Sequence, residues 1–367
     1  MLLLQIRYAD YDVDAIQKEY SDCFCKSAMT GQLHDFCYRL PLNESIVGKK
    51  FSCSLLERAE RLGVLDSGTV NLHKDALPDP VFVTAFNGAY ENSAVDMINS
   101  IRAHFPTTRI IIYYLGPMYP GFDFARVCNV TVRKFDLTIY PNGELREYRW
   151  KPIVIAETLK EFGAVWYMDA SVRMIKGDLS HVHELVTCRR DRGERILPNT
   201  TVSGIGEPIE SGFNQALWKS NVKNCDKMPY LLHGFSSHGV YPAVNPKMYD
   251  YLPSDHGKLK HVKMYDAGFV FAVHTEDVVR NVLKWYVLCA LQDGCFAPPG
   301  SSLQCAFNRD RFTEYAKCHR YDQSAVNILL ANANANNHHL FTSEIVDFFT
   351  IDRSGGSAQV DSRFLCQ

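Results

Sequence analysis

The sequence predicts an α/β fold with a mostly parallel, Rossmann-type sheet flanked by helices and with a long-loop C-terminal half. Between residues 80 and 169, short apolar runs alternate with segments of helical spacing, which is typical of strands joined by crossover helices. The first run, residues 81–86, is apolar nearly throughout, as expected of a strand covered on both faces. Hydrophobic residues make up 46% of the chain and charged residues 22%, which excludes wholesale disorder.

The elements that follow the first strand can be placed by their spacing. Val95, Ile98 and Ile101 recur at helical intervals and predict a helix that ends near residues 105–106, where Pro106 disfavours continuation. Residues 109–115 are strongly apolar and predict the second strand.

A short helix around 122–126 leads to the third predicted strand at 129–135. Pro152 suits the first turn of a helix that runs to about residue 162, and Gly163 ends it. The fourth predicted strand, 164–168, runs directly into Asp169.

The second half is less regular. Residues 188–260 are rich in Gly, Pro, Ser, Asn and His, which predicts long loops around a site. A further strand is predicted at 267–274, a helix at 276–291, a helix beginning near Asp322, and a last strand at 348–352.

The chain length of 367 residues suggests two domains at roughly 150 residues each. The strand and helix pattern instead favours one main domain at 78–352, preceded by an N-terminal stem or extension at 1–77 and followed by a polar tail at 353–367. Within the stem we predict a helix over about 14–29 and a second short helix over 55–62 that stops at Gly63.

The charge balance narrows the classes of partner. Lys and Arg number 39 against 41 Asp and Glu, which gives a net charge of −2. A dedicated nucleic-acid or anionic-membrane binder has a basic excess, so neither class is favoured. The oligomeric state cannot be read from the sequence.

The twelve cysteines and the glycosylation acceptor motifs favour an oxidising lumen, the Golgi or endoplasmic reticulum, with disulfides and attached glycans. N-x-S/T motifs occur at Asn43, Asn129 and Asn199. The first residues offer only a short apolar run, too short for a signal peptide or a membrane span. We therefore expect an anchor missing upstream of Met1, with a cytoplasmic protein as the alternative.

Ligands of open parallel sheets bind beyond the carboxyl ends of the strands. The residues at those ends are therefore the candidates. They are Thr84, Phe86 and Asn87 for the first strand, Asp136 for the third and Asp169 for the fourth. A carboxylate at the end of a buried strand is costly unless it is paired, hydrogen-bonded or bound to a metal.

Several motifs resemble those of GT-A glycosyltransferases. They are T-A-F-N at 84–87, Y-M-D-A-S-V-R at 167–173, Y-D-A-G-F-V-F at 265–271 and H-R-Y-D-Q-S at 319–324. The resemblance implies transfer of a hexose-like sugar from a nucleoside diphosphate sugar, UDP being our expectation, to a glycan or glycoprotein. It also implies Mn²⁺ or Mg²⁺ held by an Asp-x-Asp motif against the diphosphate.

More narrowly, the order of these motifs over about 78–350 resembles an invertebrate family that is common in nematodes and catalogued as a domain of unknown function. The sequence departs from Asp-x-Asp in one place, because Ser171 replaces the second acidic residue. A cation held by Asp169 and Ser171 would need help, for which Asp266 and His274 are candidates. Arg173 could instead replace part of the missing charge by a forked phosphate contact.

The remaining site residues follow from the same resemblance. Thr84, Phe86 and Asn87 are assigned to the nucleotide-sugar, as is Lys151, which precedes the helix proline and could reach a phosphate. Asp136, with Tyr140, is assigned to the uridine. Asp266 and Asp322 are assigned catalytic or acceptor-orienting roles, although Asp322 could equally cap its helix.

Two rival functions remain. A catalytically inactive GT-A-like domain that binds glycans or acts as a scaffold would explain Ser171. A cytosolic nucleotidyltransferase-like enzyme is the third possibility. The absence of a G-x-S-x-G motif weakens a hydrolase assignment.

Overall fold

A computed structural model of the chain describes residues 22–65, 68–116, 121–139, 145–188, 212–356 and 359–366. The strands are β1 Phe24–Lys26, β2 Leu33–Asp35, β3 Arg39–Leu40, β4 Asn43–Val47, β5 Val81–Phe86, β6 Ile110–Tyr114, β7 Val130–Lys134, β8 Ala164–Met168, β9 Val172–Met174, β10 Tyr230–Leu232, β11 Phe235–Gly239, β12 Lys263–Tyr265, β13 Phe269–Val273 and β14 Phe349–Ile351. The α-helices are α1 Leu56–Arg61, α2 Glu91–His104, α3 Trp150–Phe162, α4 Ser180–Thr187, α5 Gln215–Asn224, α6 His256–Leu259, α7 Glu276–Val278, α8 Lys284–Leu291 and α9 Asp322–Ala333.

A six-stranded sheet forms the centre of the fold, in the order β10-β13-β8-β5-β6-β7. Strands β8, β5, β6 and β7 are parallel to one another. Strand β13 is antiparallel to β8, and β10 is antiparallel to β13. The prediction of a mixed α/β fold with a mostly parallel central sheet is therefore confirmed.

Alternate residues of the strands pack on opposite faces of the sheet. Val83 and Tyr167 face the side covered by α3, α8 and α9, whereas Phe82 and Trp166 face the side covered by α2 and α4. Helix α3 ends at Gly163, which has a φ of 77° and so adopts the left-handed conformation that favours glycine.

The predicted elements of the sheet agree closely with the structure. The strands predicted at 81–86 and 164–168 have these bounds, and the helix predicted at 276–291 is α7 and α8 joined by a π-helical turn at Val279–Leu283. Of the segment 188–260, where long loops were predicted, the structure describes residue 188 and residues 212–260, and the latter also hold short elements (α5, β10, β11 and α6).

The predicted helix at 14–29 is wrong where it can be compared. Residues 14–21 lie outside the described ranges, and Phe24–Lys26 form strand β1. Disulfides tie Cys23 to Cys37 and Cys25 to Cys53 on either side of Phe24, and these crosslinks hold the segment extended beside β2.

The N-terminal segment packs into the core of the sheet domain. Phe36, Tyr38 and Phe51 are buried in the same cluster as α3 and α8. The ring of Tyr38 lies edge-on to that of Trp285, with 5.3 Å between ring centroids. Helix α1, predicted at 55–62, is confirmed.

All twelve cysteines are paired. Besides the two N-terminal bonds, the disulfides are Cys128–Cys366, Cys188–Cys225, Cys289–Cys295 and Cys305–Cys318. The first of these ties the C-terminal segment to the residue just before Asn129, and Leu365 also bridges Val127. Six disulfides favour an oxidising environment. Among the described residues, no helix is long and apolar enough to cross a membrane.

Candidate active site at the carboxyl edge of the sheet

Two strands of opposite direction meet at the candidate site. Asp169 follows the end of β8, and Gly268 precedes the start of β13; the Asp169 backbone N–H donates to the Gly268 carbonyl at 2.7 Å. Because β13 is antiparallel to β8, residues that precede β13 lie at the same edge as residues that follow β8.

Lys151 joins this edge from the first turn of α3. Its ammonium nitrogen lies 2.5 Å from Asp322 Oδ2 and 3.1 Å from Asp169 Oδ1, and it also donates to the Ala267 carbonyl at 3.3 Å. The Lys151 side chain is only 2% exposed and that of Asp322 9%, whereas that of Asp169 is 34% exposed. The structure thus brings together three predicted site residues, of which Asp169 faces solvent.

The three charges shift one another's protonation. Burial alone would lower the pKa of Lys151, but the Asp169 and Asp322 carboxylates raise it above its ordinary value. Burial raises the pKa of the Asp322 carboxyl group, and the ammonium opposes that shift. Lys151 is therefore a permanent cation that balances carboxylates in an apolar setting.

Neighbouring groups hold the Asp169 carboxylate in place. The Tyr167 hydroxyl donates to Asp169 Oδ1 at 2.6 Å, and burial raises the pKa of this tyrosine well above its ordinary value. A Cβ at Gly268 would lie 2.8 Å from Asp169 Oδ2, closer than such contacts occur. A side chain at residue 268 is thus incompatible with the observed carboxylate position.

A second polar chain extends from α9 to the start of β13. Gln323 donates from Nε2 to the Ser236 hydroxyl at 2.7 Å, and that hydroxyl donates to Asp266 Oδ1 at 2.7 Å. The adjacent residues Asp322 and Gln323 therefore connect to the two sides of the Ala267-Gly268 segment, one through Lys151 and the other through Ser236.

Arg173 and Ser171 lie on the segment that leaves the site. The Arg173 guanidinium is buried and donates to the carbonyls of Ala170 at 2.7 Å and Val172 at 3.1 Å, with Asp96 and Asp352 at 3.9 and 4.0 Å. It fixes the β9 backbone in this arrangement and is not brought to Lys151. The Ser171 carbonyl accepts from the Asp352 backbone.

The residues predicted at the end of the first strand are not among the hydrogen-bond or ion-pair partners of the Lys151 ammonium in the described part of the chain. Thr84 is buried within β5, with no partner for its hydroxyl among the described residues. Phe86 packs edge-on against Phe124 in the core. Asn87 accepts from the Ala89 backbone and caps a 3₁₀ turn at the carboxyl edge of β5.

Asp136 is exposed and makes a local turn. Its Oδ1 accepts from the backbone and the hydroxyl of Thr138, and these bonds lower the pKa of the carboxyl group. Tyr140, its predicted partner for uridine, lies outside the described residues.

The residues at the edge do not fit a hard divalent cation. Lys151 places a positive charge 3.1 Å from Asp169, Ser171 adds only a hydroxyl, and Asp266, the other predicted helper, has its Oδ1 bonded to Ser236. In the described part of the chain, the groupings of three ligand side chains lie elsewhere, at Cys23, Asp35 and Cys37, where the cysteines are bonded together, and at His338, His339 and Glu344.

His274 was expected to help hold that cation, and this expectation is wrong. It follows the carboxyl end of β13, where Val273 pairs with Ala164 at the start of β8. The ring is buried beside the carbonyls of Gly63 and Gly68. His274 therefore lies at the opposite edge of the sheet from Asp169.

Sequence reasoning assigned no role to Tyr167 or Ser236, and it did not anticipate that Asp169 and Asp322 pair with Lys151. Gln323 belongs to the H-R-Y-D-Q-S motif at 319–324, so that motif was the one signal in the sequence that could have predicted a role for Gln323 at the site. Tyr167 looks like any apolar strand residue, and Ser236 lies in a segment with no motif.

Three solved structures that resemble this chain are those of glycosyltransferases. The apo structure of WbbM, a bifunctional glycosyltransferase, is 12% identical, covers 72% of this chain and 39% of its own, and has a TM-score of 0.33. The galactosyltransferase LgtC, in complex with donor and acceptor sugar analogs, is 12% identical, covers 56% of this chain and 59% of its own, and has a TM-score of 0.26. An active-site mutant of LgtC is 11% identical, with coverages of 56% and 58% and a TM-score of 0.25.

This chain thus spans about two fifths of WbbM and under three fifths of LgtC. At these TM-scores no residue role is transferred from them. In sequence, the model of a family described as a protein of unknown function (DUF1647) matches residues 23–156, a range that includes Lys151 and ends before Asp169. No curated protein matches significantly.

Proposed function

We propose that this chain is a GT-A-like glycosyltransferase that moves a sugar from a nucleoside diphosphate sugar, with UDP as the nucleotide, to a glycan or glycoprotein acceptor. The observation that carries the proposal is the convergence of three glycosyltransferase-like motifs at one edge of the sheet. Asp169, the Asp266–Gly268 segment and Asp322-Gln323 meet there, and the ion pair between Lys151 and Asp322 spans 171 residues of sequence.

The chemistry of this edge suits a polyhydroxyl ligand. Asp169 is part-exposed with its carboxylate held by Tyr167 and Lys151, so it can accept hydrogen bonds from sugar hydroxyls without reorganising. Ala267 and Gly268 present small side chains, which allows a sugar ring to approach the backbone.

Asp266 is the proposed base or acceptor-orienting carboxylate. Its Oδ1 is fixed by Ser236, which leaves Oδ2 for an acceptor hydroxyl. In the transfer, the acceptor oxygen bonds to the anomeric carbon, the bond from that carbon to the diphosphate oxygen breaks, and the hydroxyl proton passes to the carboxylate.

The site is proposed to act without Mn²⁺ or Mg²⁺, since Lys151 already supplies positive charge beside Asp169. Six disulfides support a secretory-lumen location, Golgi or endoplasmic reticulum, for this activity.

The deciding experiment is a screen of UDP-sugars by UDP release, with Mn²⁺ and with EDTA. We expect release with one donor class, equal in both conditions, and at least a hundredfold loss in Asp169→Asn and Asp322→Asn. Asp277→Asn, an exposed carboxylate in α7, is the matched control. Release that depends wholly on Mn²⁺ would overturn the cation-free part of the proposal.

A catalytically inactive GT-A-like glycan-binding or scaffold protein is the second candidate. It is favoured by one observation, the serine at residue 171 where the motif has an acidic residue. Glycan binding by calorimetry without UDP release from any donor would select this candidate.

A further inference from the structure

The hairpin formed by β3 and β4 exposes apolar side chains. Leu42, in the turn between the strands, is 56% exposed and Ile46 is 43% exposed. Strand β4 pairs only with β3 among the described strands, so its other edge has open backbone groups. An exposed strand edge with apolar side chains favours aggregation unless something shields it.

Asn43 begins β4 and heads the acceptor motif Asn43-Glu44-Ser45. It is exposed, and the Ser45 hydroxyl donates to Asn43 Oδ1 at 2.6 Å. This bond joins the two residues that the motif requires. The side-chain nitrogen, Nδ2, donates to no acceptor among the described residues.

Asn129 carries the same kind of motif in a different setting. Its Nδ2 donates to the Thr107 carbonyl at 3.2 Å, and its backbone has a φ of 56°. The preceding residue, Cys128, is bonded to Cys366. The nitrogen that a glycan would occupy is thus engaged in holding this turn. Asn199 lies outside the described residues.

We propose that Asn43 is an N-glycosylation site and that its glycan shields Leu42, Ile46 and the open edge of β4. In the modification, Asn43 Nδ2 bonds to the anomeric carbon of an oligosaccharide carried on a lipid diphosphate. The bond from that carbon to the diphosphate breaks, and one amide proton leaves with the diphosphate. The six disulfides place the chain in a compartment where such donors act.

Peptide mapping tests this assignment on the full chain, directed to the secretory pathway of insect cells. We expect the peptide with Asn43 to carry a glycan that peptide N-glycosidase removes, and the peptide with Asn129 to be unmodified. Asn43→Gln and Ser45→Ala should each remove this glycan, whereas Ser45→Thr keeps it and Asn129→Gln leaves the glycan pattern unchanged.

An unmodified Asn43 peptide in secreted wild-type protein overturns the proposal. This test uses wild-type protein alone, so it does not depend on whether any variant folds. A glycan on Asn129 overturns the argument from its engaged nitrogen. Because each peptide is identified by its mass, a glycan at Asn199 cannot be mistaken for one at Asn43 or Asn129.

The shielding role has its own measurement. Secreted Asn43→Gln should form at least severalfold more soluble aggregate by light scattering than wild type. Adding Leu42→Ser and Ile46→Ser to this variant should restore the wild-type level, because the apolar side chains are then gone. If Asn43→Gln is as monodisperse as wild type, the glycan does not shield the hairpin.

Discussion

Lys151 and Asp322 form a buried ion pair whose atoms lie 2.5 Å apart, although α3 and α9 are widely separated in sequence. Both side chains are buried, and Asp169 is the part-exposed member of the group. The pair therefore ties the last long helix to the start of α3 and at the same time orients a solvent-facing carboxylate.

Removing the ammonium should be costly. Lys151→Met leaves Asp322 buried without its cation, and we expect the free energy of unfolding to fall by about 3–5 kcal/mol. Urea denaturation measures this change. Lys160→Met, at an exposed position of the same helix, should cost under about 1 kcal/mol. A double variant, Lys151→Met with Asp322→Leu, should recover much of the loss, and failure to recover would show that the pair is not coupled.

Gly268 should not tolerate a side chain. Gly268→Ala would place a Cβ 2.8 Å from Asp169 Oδ2, so we expect a loss of about 1–3 kcal/mol in unfolding free energy. In an Asp169→Ala background the same substitution should cost much less, and the difference gives the coupling between the two residues. Gly257→Ala, where the new contact is with the exposed Asp255, is the control. Equal costs in both backgrounds would contradict the observed packing.

Buried neutral histidines should make the fold sensitive to acid. Burial lowers the pKa of His319 and His183 to about 4 and that of His233 to about 3, from an ordinary value of 6.5. Between pH 6.5 and pH 4 these histidines bind protons in the unfolded chain but not in the folded chain. Their contribution to the free energy of unfolding is therefore fully present above pH 6.5 and falls as the pH drops towards 4. Each of the three histidines should lower the free energy of unfolding by about 2 kcal/mol at pH 5 relative to pH 7.5.

His233→Phe tests this directly, since the ring already stacks on Trp166. The variant should lose part of the pH dependence of the unfolding free energy, whereas the exposed His73→Phe should keep it. An unchanged slope in His233→Phe would exclude this histidine as a source.

The disulfides Cys128–Cys366 and Cys289–Cys295 should differ in how much they stabilise the folded chain. Cys128–Cys366 closes a loop of 238 residues, and Cys289–Cys295 closes one of 6. Loop-closure entropy gives about 5 kcal/mol for the first and about 2 kcal/mol for the second. Paired Ser substitutions, followed by thermal unfolding, should therefore lower Tm more for the first pair. The reverse order would show that native-state effects outweigh chain entropy.

The central strands could be predicted because their burial is continuous. Residues 81–86 and 164–168 are apolar on both faces, so no tertiary information is needed to recognise them. Strand β1 could not be predicted, because its extended conformation is held by two disulfides and is not signalled by side-chain periodicity.

The candidate site was predictable only in part. Asp169 and Asp322 follow from motifs, but the direction of β13 does not, and that direction decides whether Asp266 or His274 reaches the edge. The burial of Lys151 could not be predicted either, because a lysine near the start of a helix is normally solvated. Its two carboxylate partners are brought to it only by the tertiary fold.

The pairing of cysteines also sets an order of maturation during synthesis. Cys23, Cys25, Cys37 and Cys53 bond only among themselves, so these two disulfides can form as soon as residue 53 has been synthesised and exposed to an oxidising environment. Cys128 instead pairs with Cys366, which lies 238 residues further along the chain. The last of these bonds to become possible therefore needs nearly the whole chain, so the native set of disulfides cannot be complete before residue 366 has been synthesised.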